Sequence, residues 1–136
     1  MVGMNENIRR QGVFKPANRR VWPHEDRAAE ILARDGHYIE FLPEGNSSSP
    51  DILLDGVMYE LKSPKSYKTN SMEQLIKDAL YGKQCPNIVF DSLRLKGVRD
   101  EKIQAFLVSQ VKARSKIKNM LFINRHHEVI DIFTLV

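Results

Sequence analysis

Asp51, Glu60 and Lys62 stand where a tight hairpin would bring them onto one face. Residues 52–54 are apolar, Asp55-Gly56 follows, and residues 57–62 form a second strand-like run. Asp-Gly between such runs favours a type I′ turn, whose two central residues need positive φ. A two-residue turn fixes the register: Leu54 opposite Val57, Leu53 opposite Met58, Ile52 opposite Tyr59 and Asp51 opposite Glu60. Opposed residues have Cβ atoms about 4.5–5.5 Å apart, so two carboxylates are expected side by side. Side chains alternate along a strand, which puts Lys62 on the face of Glu60. Carboxylates so close repel, and a divalent cation is the simplest neutraliser. An all-oxygen ligand set selects Mg²⁺ or Mn²⁺, and Mg²⁺ takes only one or two carboxylates from the protein. The expected metal ligands are Asp51, Glu60 and a backbone carbonyl such as that of Leu61. Lys62 is placed to orient a water or to stabilise charge developing on a phosphodiester under attack. The chemistry these residues fit is metal-dependent phosphodiester hydrolysis.

The elements around the hairpin must position it. A first helix is expected over 24–35, with Ala28, Ala29, Ile31 and Leu32 inward and Gly36 closing it. Glu25 lies two turns before Leu32 on the same side, so it is a candidate carboxylate for the site as well as a charge that suits the helix dipole. A strand over 37–42 and a polar loop over 43–49 lead into the hairpin. After Lys62 comes a loop over 63–70 carrying Ser63, Lys65, Tyr67 and Lys68, a pattern able to hold phosphate and stack a base. A second helix is expected from Ser71, with Ser71 to Gln74 as a capping box. It ends near Gly82, with Lys83 and Gln84 after it. Residues 87–90 read as a central strand covered on both faces. A third helix over 101–114, capped by Asp100, precedes strands over 120–123 and 129–133. Lys112, Arg114, Lys116 and Lys118 suit a helix C-terminus or a phosphate-contacting patch. His126-His127, in the last turn, reads as exposed polar residues. The expected fold is a mixed α/β domain, a central sheet flanked by helices, over 22–136. Residues 1–21, with Arg9, Arg10, Lys15, Arg19 and Arg20, are expected as a basic arm.

Composition sets the outer bounds. The chain has 136 residues, enough for one domain with a proper core, and a formal net charge of +4. Its pI near 9.3 mildly favours an acidic partner such as nucleic acid. Cys85 is the one cysteine, so no internal disulfide forms. No apolar run approaches transmembrane length, and no membrane partner is expected.

Pro50-Asp51, eight residues, then Glu60-Leu61-Lys62 resembles the PD-(D/E)XK nuclease signature. The resemblance implies an α-β-β-β-α-β core, extended here by a helix and a C-terminal strand pair. It also matches Glu25 to a family glutamate in the first helix and Gln84 to a supporting glutamine after the second. A narrower run is Glu25, Ala29, Leu32-Ala33, Gly36, Asp51, Gly56, Tyr59-Glu60-Leu61-Lys62-Ser63, Gln84 and Asp91. It is similar to the C-terminal nuclease domains of contact-dependent growth inhibition toxins. That similarity implies a toxin-like ribonuclease cutting tRNA in the cytoplasm of a target cell. It also implies delivery within a larger secreted protein and neutralisation by an immunity protein. A deoxyribonuclease on the same core, and a non-catalytic nucleic-acid-binding domain, are the alternative readings.

Overall fold

The structure, a computed structural model, describes residues 11–43 and 49–136. Among them, seven strands form one curled mixed sheet in chain order: β1 (Gly12–Phe14), β2 (Tyr38–Phe41), β3 (Ile52–Leu54), β4 (Val57–Lys62), β5 (Asn87–Asp91), β6 (Asn119–Ile123) and β7 (Val129–Asp131). Helix α1 (Pro23–Arg34) connects β1 to β2, α2 (Thr69–Lys77) connects β4 to β5, and α3 (Asp100–Ala113) connects β5 to β6. The pairs β1–β2, β4–β5 and β5–β6 are parallel; the others are antiparallel. The mixed α/β fold is therefore as expected, and α1-β2-β3-β4-α2-β5 runs in the anticipated order.

Two apolar layers sandwich the sheet. Ala28, Ala29, Ile31 and Leu32 of α1 pack on Ile39, Phe41, Ile52, Tyr59, Leu61 and Val89. Met72 and Ile76 of α2 and Ile103 and Leu107 of α3 pack with Ile88, Phe90, Met120 and Phe122. These are neighbouring positions of β5 facing opposite ways, which explains why that strand is apolar on both sides.

Four local expectations are corrected. Gly12–Phe14, read as part of the arm, is a sheet strand registered against Tyr38 to Glu40, with Gly12 N–H donating to His37 O at 3.1 Å. Arg9 and Arg10, and the loop residues from Glu44 to Ser48, lie outside the described residues. Helix α2 starts at Thr69 rather than Ser71, and Glu73 faces Arg114 at 3.6 Å instead of closing a capping box. Asp100 is the first helical residue of α3, and its carboxylate takes Arg125 N–H at 3.1 Å. The last strand stops at Asp131, where Asp131 Oδ1 accepts Phe133 N–H at 3.0 Å and turns the chain into a short 3₁₀ segment.

The β3–β4 hairpin has the expected register, Ile52 with Tyr59, Leu53 with Met58 and Leu54 with Val57. Asp55 has φ 51° and Gly56 φ 84°, as the turn requires. Asp55 also accepts Tyr38 N–H at 2.8 Å, tying the turn to β2. Gly56→Ala leaves the surroundings open but puts a Cβ on left-handed backbone. It should cost about 1–2 kcal/mol, read as a lower urea midpoint at unchanged slope.

Candidate active site

At Tyr59 the neighbours of β4 change. Val57 to Tyr59 pair with β3, whereas Glu60 to Lys62 pair with Ile88 to Phe90 of β5. The site lies where β3 parts from β4. Continuing the hairpin register sets Asp51 opposite Glu60 and Pro50 opposite Leu61. Proline has no N–H, so it cannot return the ladder bond to the Leu61 carbonyl. The Asp51 side chain replaces the strand on the donor side, its Oδ2 accepting Leu61 N–H at 3.0 Å. In an extended strand the N–H and C=O of one residue leave the same edge, so the Leu61 carbonyl also points to the Asp51 side.

Glu60 lies between Tyr59 and Leu61, which face α1, and so projects to the opposite face, the side of Ile88 and Phe90. It is 1% exposed. Its Oε2 meets Lys62 Nζ at 3.2 Å, while Oε1 is buried with no hydrogen-bond partner. Burial first, and then the Asp51 carboxylate, push the Glu60 carboxyl up to about 7, against the pull of Lys62.

These observations bear on a cation. Among the described residues no three or more His, Cys, Asp or Glu side chains cluster as a metal site. The Asp51–Glu60 pair, an orphaned carboxylate oxygen and an unladdered carbonyl form an oxygen-only set of the size Mg²⁺ takes from proteins, the rest of its shell being water and substrate. The residues present fit a hard divalent ion held by Asp51, Glu60 and Leu61.

The other expected residues fall outside this cluster. Glu25 sits in the first turn of α1, on the helix covering the other face. Its Oε1 accepts Trp22 N–H at 3.0 Å, and its carboxylate pairs with Arg19 at 3.3 Å. Those contacts hold the helix start, as an N3 glutamate does. Gln84 is exposed, with φ 52°, in a second hollow shared with Tyr81, Lys116 and Lys118. Its neighbour Lys83 donates from Nζ to Ser49 O at 3.2 Å, beside the start of the hairpin. Ser63 donates to Asp91 Oδ2 at 3.0 Å rather than facing solvent alone. Lys65 and Lys68 line a cavity of about 820 Å³, joined there by Arg27, Arg94 and Lys96, which the sequence reading missed. Burial, with Arg94 close by, lowers the pKa of His24 at the start of α1. His126 and His127 are exposed, as expected.

Asp51, Glu60 and Lys62 thus meet where the β3–β4 hairpin parts, on one face of a mixed α/β sheet. The sequence profile of the contact-dependent growth inhibition CdiA C-terminal domain matches residues 48–129. That is more than half of the chain, and it includes the whole hairpin. The chain belongs to this family of CdiA C-terminal domains. A solved structure described as a CdiA-CT/CdiI toxin and immunity complex from Burkholderia pseudomallei has a similar fold, with TM-score 0.67. The alignment covers 88% of this chain and 98% of that one at 17% identity, a level that speaks for the fold alone. No curated protein matches the sequence. No described helix is long and apolar enough to cross a membrane.

Proposed function

We propose that the protein is the nuclease domain of a contact-dependent growth inhibition toxin, a metal-dependent endonuclease of PD-(D/E)XK type acting on RNA, with tRNA the foremost substrate. The observation that carries the reading is the Asp51–Glu60–Lys62 cluster, half-buried at Asp51 and Lys62 and fully buried at Glu60, whose Oε1 has no partner. Stability alone gives a protein no reason to bury one carboxylate beside another. A divalent ion, Mg²⁺ or Mn²⁺, bound there supplies positive charge to the phosphodiester and lowers the pKa of water. Asp51 and Glu60 hold the cation, and the backbone of Leu61 fixes Asp51 in place. Lys62, its ammonium 3.2 Å from Glu60, offers a proton-donating group and a positive charge to the attacked phosphate. Glu25 and Gln84 act from outside this cluster, Glu25 by holding the start of α1. As in the Burkholderia assembly named above, an immunity protein is the expected partner. The site of action is the cytoplasm of a target cell, reached as part of a larger secreted protein.

Incubating the protein with tRNA, other RNA and plasmid DNA in Mg²⁺, Mn²⁺ or EDTA tests the substrate. Cleaved tRNA with intact plasmid is expected in either metal. Plasmid cleavage with intact RNA would replace this reading by a deoxyribonuclease on the same core.

A further inference from the structure

The cavity of about 820 Å³ is lined by cations from three separate segments: Arg27 on α1, Lys65 and Lys68 between β4 and α2, and Arg94 and Lys96 between β5 and α3. Among the described residues, no carboxylate lines it. None of the five makes an ion pair within 4.0 Å among the described residues, although Lys15, Arg19, Lys62, Arg114 and Arg125 do. The two loops are held together rather than loosely apposed. Fully buried Asp91 takes Ser63 Oγ at 3.0 Å from one loop and Leu93 N–H at 2.9 Å from the other. Lys102 Nζ, 5.4 Å from the Tyr67 ring, braces the first loop from α3. The N-terminus of α2, at Thr69, follows Lys68 directly and adds the positive end of a helix dipole. Five like charges around one fixed hollow repel one another, and an anionic occupant relieves that repulsion.

We propose that this cavity binds the backbone phosphates of a polynucleotide strand as it leaves the Asp51–Glu60–Lys62 cluster. The inference rests on the nuclease reading for its geometry, because the cavity begins three residues after Lys62 on the same chain segment. Arg27, Arg94 and Lys96 are its new members. Arginine presents a planar fork to phosphate, which suits positioning of a strand more than a diffuse surface charge does.

The test is equilibrium binding of fluorescein-labelled tRNA in EDTA over a salt series. Wild type is compared with the Arg94→Gln/Lys96→Gln and Arg34→Gln/Lys77→Gln pairs. Arg34 and Lys77 are exposed cations on α1 and α2 outside the cavity and serve as a net-charge control. Losing two phosphate contacts should lower the slope of log K against log salt by about 1.4–1.8 and weaken binding at least about tenfold. The control pair should keep the wild-type slope, and all three proteins should melt alike. Equal slopes in both pairs would overturn the proposal. So would an Arg94/Lys96 pair that keeps its tRNA affinity but loses its immunity protein, since the hollow would then be a protein-docking surface. A wild type that binds tRNA with the predicted slope difference but cuts nothing in Mg²⁺ would retain the cavity and remove the nuclease reading.

Discussion

Lys62→Ala and Asp51→Ala should each fold and cut nucleic acid at least about 10²–10³-fold more slowly than the wild type, the loss typical of removing one preorganised charge from a transition state. The structure explains why both losses should be large. Asp51 contributes a carboxylate and also takes the Leu61 amide that Pro50 opposes across the parting strands. Lys62 is the cation against buried Glu60, at 3.2 Å. Neither side chain belongs to the apolar layers that hold the sheet, so secondary structure and cooperative melting should survive. Circular dichroism melts run beside single-turnover cleavage separate the two effects. A conservative Lys62→Arg should recover little, because a planar guanidinium replaces a compact ammonium at a half-buried position.

The second large effect concerns stability without metal. Glu60 has an ordinary carboxyl value of 4.5 and is pushed up to about 7 in the fold. Between those values the folded state binds more protons than the unfolded state, so this group's contribution to stability is full below about 4.5. It is lost as pH rises through about 7. A displacement of that size corresponds to roughly 3 kcal/mol. Other carboxylates titrate over the same range, so Glu60→Gln isolates the group. In EDTA, the stability of Glu60→Gln relative to wild type should rise by roughly 3 kcal/mol between pH 4 and pH 8. Asp51→Asn should produce part of this gain, because burial remains the larger cause of the shift. Urea unfolding at each pH checks both variants. A constant difference between Glu60→Gln and wild type would mean that Glu60 ionises normally in the fold.

The hairpin was legible because its determinants are local. Asp55-Gly56 sets the turn, the turn sets the register, and the register sets Asp51 beside Glu60. Pro50 added a detail visible in sequence but understood only with the neighbours of β4 known. Contacts made across long sequence distances were not legible. The three residues of β1 carry no periodicity of their own and become a strand only because β2 offers an edge. Glu25 has a helical spacing that allows a site role, yet the tertiary structure sets its helix on the other face and gives its carboxylate to Trp22 and Arg19. Arg27, Arg94 and Lys96 are ordinary surface cations in sequence. Arg94 and Lys96 converge with Lys65 and Lys68 where buried Asp91 joins the two loops, and Arg27 reaches the same hollow from α1.

The proposed activity requires that the Asp51–Glu60–Lys62 cluster cut a phosphodiester with a divalent ion's help. Its most direct test is tRNA cleavage by the wild type and by Lys62→Ala, first in Mg²⁺, then with excess EDTA, then with Mg²⁺ restored above the chelator. Cleavage by wild type alone, abolished by EDTA and recovered with Mg²⁺, is the predicted result. Cleavage that persists in EDTA, or that survives at full rate in Lys62→Ala, would contradict it.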